Sequence, residues 1–296
     1  MSRRLELTVP PELEGVRVDT LLRKHLNLSG TVVKRIKWLP DGILVDGLRV
    51  NTRFCPKAGQ VLSARLSDPA RNSGIVPTAG PLDIVYEDED LIVLNKAPGV
   101  SVHPGPGHFD DTLGNFLTHY YKTSSQEADF HPVHRLDRGT SGLLVTAKHP
   151  HAQEVLKNQL HTGDFSRVYL AVCEGTPDPP SGLIDAPTGP KPGSLMEQTV
   201  RPDGKPARTR YRVVQPWGGR SLVELRLETG RTHQIRVHMA HIGHPLTGDF
   251  LYGSENPFLI PRPALHSARL TLLHPISLAR LDFSLPLPRD MARLRL

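Results

Sequence analysis

The densest run of reactive side chains is His131-Pro132-Val133-His134-Arg135-Leu136-Asp137-Arg138-Gly139-Thr140-Ser141-Gly142, which leads straight into the apolar Leu143-Leu144-Val145. An aspartate at the tip of a polar loop, just ahead of a buried strand, is held firmly yet stays accessible. The guanidinium groups of Arg135 and Arg138 favour its ionised form. Such a carboxylate can serve as a nucleophile, as a general base or as a metal ligand. An isolated Arg-x-Asp more often does no more than tie a turn, so the rest of the chain must decide.

Histidine and cysteine offer other chemistry. The fifteen histidines include His131 and His134, and His238, His241 and His244, each set at three-residue intervals. A helix can place His238 and His241 on one face, as metal ligands require. No His-Glu-x-x-His or cysteine-rich pattern accompanies them, and Gly243-His244-Pro245 ends a helix before the third ligand. No metal site is therefore expected. Cys55 and Cys173 lie far apart in no metal-like spacing, which fits a pair of reduced thiols.

The carboxylate needs a frame, and the apolar periodicity supplies one. From Leu82 onward it predicts strands at 82–86, 91–95, 142–147, 167–173, 209–214, 221–228, 266–273 and 281–285. Helices are predicted at 111–122, 150–161 and 232–241. The second of these carries Ala152, Val155, Leu156, Gln159 and Leu160 on one stripe, with Gly163 just beyond as a stop. Glu87 to Asp90 and Trp217-Gly218-Gly219-Arg220 read as turns between paired strands. The expected fold class is α+β, with a mixed, largely antiparallel sheet in the catalytic domain, flanking helices, and a small α/β domain before it. Residues 176–206, rich in Pro and Gly, are expected to form long surface loops.

That small unit has its own pattern over residues 15–66. Val18, Leu21, Leu22 and Leu26 repeat at helical spacing, and Val32, Val33 and Ile36 predict a second short helix beside Lys34, Arg35 and Lys37. Ile43-Leu44-Val45 and Leu48-Arg49-Val50 flank Asp46-Gly47, a strong hairpin signal, and 61–66 predicts a closing strand. Residues 68–81 (DPARNSGIVPTAGP) read as a linker, so the expected division is 1–67, 68–81 and 82–296. Charge follows this division. Residues 1–71 hold 13 basic and 7 acidic side chains, a surplus of 6, whereas the remainder hold 23 of each. A polyanion such as RNA is the natural partner for such asymmetry. No apolar run is long enough to span a bilayer, and MSRRLELTVPPELEG lacks the apolar stretch of a signal peptide. A cytoplasmic protein with no membrane partner is expected, and a monomer.

The string HRLDRGTSGLLV resembles the central motif of the RluA family of pseudouridine synthases. The resemblance runs on in order and spacing: Asn95-Lys96-Ala97-Pro98-Gly99 through His103-Pro104, Arg167-Val168-Tyr169-Leu170-Ala171-Val172, Gly204-Lys205-Pro206-Ala207-Arg208-Thr209, Thr229 to His238, Gly248-Asp249, Tyr252-Gly253, Leu265-His266 and His274-Pro275. Ala97 before Pro98, and Arg167 where lysine is common, are mild departures. The unit at 15–66 resembles the RNA-binding domain of ribosomal protein S four, although Gly30 and Gln60 depart from it.

The resemblance implies isomerisation of uridine to pseudouridine in a structured RNA, ribosomal RNA in preference to transfer RNA, with no cofactor. It implies Asp137 as nucleophile, Tyr169 over the uracil ring, and Arg236, with Arg231 as runner-up, as the cation that pairs with Asp137. Ile235 would wall the uracil pocket. Arg135 would fill the space that a flipped uridine leaves, while His134 and Thr140 brace the loop or touch the phosphate chain. Lys34, Arg35 and Lys37 would meet RNA from the first unit. The route of attack, on ribose or on base, stays open, as does proton abstraction.

Overall fold

The computed structural model describes residues 2–67 and 74–295. The first sheet is built from β1 (Arg4–Thr8), β2 (Ile43–Val45), β3 (Leu48–Arg49) and β4 (Val61–Arg65), in the order β1-β4-β2-β3. Strand β1 was not anticipated. Its alternating Leu5 and Leu7 pack on the core that it helps to close against β4. Helices α1 (Val18–Lys24) and α2 (Gly30–Ile36) cover this sheet through Val18, Leu21, Leu22, Val32, Val33 and Ile36, all buried. The β2–β3 hairpin turns at Asp46 and Gly47, both with positive φ, as a two-residue turn of this kind demands.

The second sheet has ten strands among the described residues. These are β5 (Ile84–Glu87), β6 (Leu91–Lys96), β7 (His131–Pro132), β8 (Ser141–Ala147), β9 (Ser166–Glu174), β10 (Ser181–Asp185), β13 (Arg208–Pro216), β14 (Arg220–Leu227), β15 (Leu265–Leu273) and β16 (Arg280–Ser284). The main path runs β10-β13-β14-β9-β15-β8-β6-β5, with β16 on β15 and β7 on β8. Pairing is antiparallel except between β15 and β8, so the expected mixed, largely antiparallel α+β class is what the chain adopts. Strand β8 is buried along its whole length, which explains its unbroken apolar run. Helices α3 (Leu113–Thr123), α4 (Pro150–Gln159) and α5 (Gln234–His241) flank the sheet, α4 against β8 and α5 against β13, and a short α6 (Arg289–Ala292) lies near the C-terminus. Among the described residues no helix is long and apolar enough to cross a membrane.

Two expectations need correcting. Residues 176–206 are not only loops, because they include β10 and a small hairpin of β11 (Thr188–Pro190) and β12 (Gln198–Val200). Pro190 ends an edge strand, where a missing N–H is tolerated, so its sequence hid the pairing. Of the expected linker, 68–73 lie outside the described residues. Residues 74–81 do not run free. Ile75 packs on the core, Thr78 N–H donates to Asn115 O at 3.2 Å, and a Cβ added to Gly80 would meet the Phe116 ring at 2.3 Å. The two sheets are tied by ion pairs from Arg3 to Asp90 at 2.8 Å and from Arg65 to Glu127 at 2.8 Å. Ser29 Oγ also donates to Glu154 at 2.6 Å.

Candidate active site

The loop that carries Asp137 is fixed from both sides. Behind it, Gly142 has φ +105° and lies so close to β15 that an added Cβ would sit 2.3 Å from Ser267 O, so only glycine fits there. In front, Thr140 N–H donates to Asp137 O at 3.0 Å, and Gly99 N–H donates to Arg138 O at 2.8 Å while Arg138 Nε donates to Gly99 O at 2.8 Å. Beneath, the buried Lys96 ammonium donates to the carbonyls of Ala97, Val100 and Arg138 at 2.8, 2.9 and 3.2 Å. Burial pushes Lys96 down to about 7; Asp137 pulls it back up and Arg262 adds to the lowering. The nucleophile candidate thus rides on a loop whose carbonyls are gathered round a buried cation.

The loop opens into a pocket of about 330 Å³. His134, Arg135, Asp137, Thr140, Tyr169, Arg231, Ile235 and Arg236 all line it, so the structure brings together every residue expected in the catalytic part. The Asp137 side chain is 18% exposed and faces Arg236 Nη1 at 3.9 Å. Tyr169 reaches the pocket from β9 and is buried. Burial raises the pKa of its hydroxyl; Arg167 opposes the rise and Asp137 adds to it. Leu136, Ile235 and Leu265 supply apolar walls.

The arginine expected to pair with Asp137 has a closer partner. Arg236 Nε and Nη2 donate to Asp249 Oδ2 and Oδ1, both at 2.7 Å, in a fork-to-fork pair that is fully buried. Burial works against its charge, and Asp249 first and Asp137 second outweigh that and raise its pKa. The ring centroids of Tyr252 and Phe250 lie 5.0 and 5.8 Å from its guanidinium carbon. Arg236 is therefore aimed by Asp249 and keeps Nη1 turned towards Asp137. Asp249 and Tyr252 stood in quoted motifs, but nothing local marked Asp249 as the partner of Arg236. Arg231 is not on α5, which begins at Gln234 after His233 with φ +54°; it is exposed and donates to Pro206 O at 3.0 Å. No ion pair joins it to Asp137 among the described residues.

His134 is buried, and burial, with Arg167 adding to it, pushes its pKa down to about 3. Its Nε2 accepts from Val145 N–H at 3.4 Å, so the ring is neutral and braces the loop against β8. His233, which also lines the pocket, bonds through Nδ1 to the Tyr252 hydroxyl at 2.8 Å, and burial lowers its pKa. Histidines 238 and 244 are occupied structurally. His238 bonds Thr209 Oγ1 and Ala186 O at 2.8 and 2.9 Å, and His244 bonds Glu174 O at 2.9 Å. Lys34, Arg35 and Lys37 do not reach this pocket. They lie on α2 and its end, where Arg35 lines a separate crevice against α4. The basic residues between 201 and 236 are mostly paired: Arg208 and Arg210 with Glu228, Arg212 and Arg226 with Glu224, and Arg220 with Glu174.

A pocket with an open carboxylate, a buried cation aimed at it and an aromatic wall can carry out nucleophilic or acid–base chemistry. Comparison with known proteins identifies the class. The family model for RNA pseudouridylate synthases matches residues 90–241. An uncharacterized RNA pseudouridine synthase of Bacillus subtilis is 39% identical over 270 residues, which cover 91% of this chain and 95% of that protein. The ribosomal large subunit pseudouridine synthase D of Escherichia coli O157:H7 is 38% identical over 318 residues, covering 99% and 94%. A solved structure of human RNA pseudouridylate synthase domain containing 1 superposes with a TM-score of 0.58 at 27% identity, covering 70% of this chain and 83% of that one. The chain belongs to the RluA family of RNA pseudouridine synthases. Its reaction is the isomerisation of uridine to pseudouridine in RNA.

Proposed function

We propose that Asp137 is the nucleophile of this reaction and that the substrate is ribosomal RNA. The observation that carries the first part is the open side of the Asp137 carboxylate. It faces a 330 Å³ pocket and has no hydrogen bond to its oxygens among the described residues, only the Arg236 charge at 3.9 Å. In the net reaction the bond from ribose to N1 breaks, a bond from the same carbon to C5 forms, and a proton leaves C5 while N1 gains one. Asp137 displaces N1 from the anomeric carbon as a carboxylate nucleophile, a step of the kind retaining glycosidases use, and C5 of the turned uracil then displaces Asp137 from the same carbon and frees the carboxylate. The pocket then confines the detached uracil between Tyr169 and the Leu136–Ile235 wall while it turns. Tyr169, with its proton held firmly by burial, stacks on the ring and serves as the polar end of that wall. Arg236, aimed by Asp249, holds its positive charge towards Asp137.

A uridine in a structured RNA must leave its stack to reach this pocket, at a cost of a few kcal/mol. The exposed Arg135 is placed to fill the vacated space. The first sheet with α1 and α2 acts as an RNA-binding domain like that of ribosomal protein S four, with Lys34, Arg35 and Lys37 on phosphates, and residues from 82 on form the catalytic domain. The surface pairs of Arg208, Arg210 and Arg212 are worth little individually, so phosphates compete for them. Ribosomal RNA is favoured because a relative of nearly the same length is named for the ribosomal large subunit. The test is pseudouridine mapping of cellular RNA with and without the gene. One or more sites lost from ribosomal RNA is the expected result. Loss confined to transfer RNA would move the substrate, and no loss in any RNA would overturn the reading.

A further inference from the structure

A second groove, of about 720 Å³, opens on the far side of the loop that carries Asp137. It shares Val133, His134 and Arg135 with the catalytic pocket, so Arg135, exposed at the end of the shared wall, stands between the two spaces. Its floor is made of rings: His103 meets Phe130 edge to face, with centroids 5.0 Å apart, and Pro104 and Pro132 lie alongside. The wall at Pro132 is held by Gln153, whose Nε2 donates to Pro132 O at 2.9 Å. Lys157, exposed on α4, stands at the rim. The same Gln153 and Lys157 line the crevice in which α4 faces Arg35 of α2. Asp129, half-buried, is a carboxylate within the groove.

We infer that this groove is the seat of the unpaired RNA segment flanking the target uridine, with a base stacked on His103 and its phosphates against Arg135 and Lys157. The inference rests on the reading of the neighbouring pocket as the uridine site. A ring platform edged by cations is the chemistry that holds single-stranded nucleic acid: stacking tolerates any base, and the cations follow the backbone. Continuity supports RNA as the occupant, because a nucleotide drawn into the Asp137 pocket must bring its neighbours over Arg135. The groove then leads them along α4 towards the basic helix α2. Burial lowers the His103 pKa, and Arg135 and Lys157 lower it further, so the ring meets the base as a neutral plane within a positive field.

The test uses the full chain and large-subunit ribosomal RNA transcribed with 4-thiouridine, irradiated with the D137N variant so that the RNA stays bound unreacted. Cross-links in the peptide that contains His103 and Pro104 are expected. In parallel, H103A and K157E are assayed on unmodified transcript. KM should rise about tenfold with kcat within about twofold of wild type, and K157E should reduce the salt slope of binding by about 1. Circular dichroism of the variants checks that they fold. Wild-type activity with cross-links confined to the catalytic pocket and kinetics unchanged in both variants would overturn the groove alone. A wild-type protein that forms no pseudouridine in any RNA would remove the uridine site, and the groove with it.

Discussion

Asp90 and Asp137 both sit beside arginines, and of the two only Asp137 is open to chemistry. Asp90 lies where β6 begins, under the first sheet. Arg3 Nε and Nη2 donate to it at 2.8 and 3.0 Å, and His149 Nε2 lies 2.9 Å away. Its neighbour Asp88 takes Tyr86, two backbone N–H groups and His274. Asp88, Asp90 and His274 are also the group whose donor atoms, all within 4.8 Å of one another, have metal-like spacing, yet their lone pairs are committed to these bonds. Asp137 faces its arginine at 3.9 Å, and Asp249 holds that arginine in place. A carboxylate saturated with donors is a structural joint, whereas one held near a cation but left open towards a cavity can react. The same residue pair serves opposite ends according to who satisfies the oxygens.

The sharpest way to break this contrast is to neutralise the open carboxylate. D137N is expected to lower the rate of pseudouridine formation by at least about 10³-fold, as loss of a nucleophile does. Its unfolding free energy should move by less than about 1 kcal/mol, because the pair it gives up is long and partly exposed. Single-turnover assays and denaturant melts on one preparation read both. Full activity in this variant would reduce Asp137 to a turn residue.

Asp249 lies between the two cases, because it is saturated like Asp90 yet serves the site. D249N leaves buried Arg236 with only the longer pair to Asp137, a loss at the low end of the about 3–5 kcal/mol for breaking a buried pair. It should also release Arg236 from its aim at Asp137 and so lower kcat in the fraction that folds. A variant that is destabilised but fully active per folded molecule would show that the aim of Arg236 is irrelevant to catalysis.

The contrast also marks what could be read along the chain. Asp137 was legible because its neighbours in space are its neighbours in sequence, a loop running into a fully buried strand. The strands were legible from their apolar patterning, and the β5–β6 and β13–β14 hairpins from the turns at 87–90 and 217–220, whereas the pairing of β8, β9 and β15 was not. Tyr169 and Arg236 became candidates only through the resemblance, since a strand tyrosine or helix arginine has no local signature of function. Asp249 as the partner of Arg236, and Lys96 as the anchor beneath the loop, were hidden for one physical reason. Each acts through contacts between segments that only the closed sheet brings together. The helix predicted at 232–241 starts two residues late for a narrower cause, the left-handed turn at His233.

At the saturated end, D90N should destabilise the fold without touching the chemistry. The loss should fall at or below the lower end of the 3–5 kcal/mol range for broken buried pairs, because Arg3 still has Glu89 at 3.1 Å. A pH titration sharpens the point. Burial alone would raise the Asp90 pKa, but the bonds from His149 and Arg3 outweigh it and hold the carboxyl well below the usual range. A depressed folded-state pKa stabilises the protein above the unfolded value of about 3.9 and is lost as pH falls towards the folded one. Wild type should therefore lose stability on acidification below about pH 4, and D90N should show a shallower acid limb. Parallel acid limbs would show that Asp90 is not what links pH to stability there.

The smallest expected effect comes from the partner that crosses between the two sheets. Arg3 precedes β1, and its guanidinium is about one-quarter exposed while the Asp90 side chain is buried. R3A removes two charge-assisted bonds and leaves Asp90 the bond to His149, so a loss of about 1.5–3 kcal/mol is expected. The attachment of the first sheet, more than either sheet itself, should bear this loss. Hydrogen exchange would then rise first along β1, whose amides pair with β4, while β8 and β9 keep their protection. If exchange rose equally in β8 and β9, the Arg3–Asp90 pair would belong to the stability of the catalytic sheet, and the joint would have to be sought in Arg65–Glu127 or Ser29–Glu154 instead.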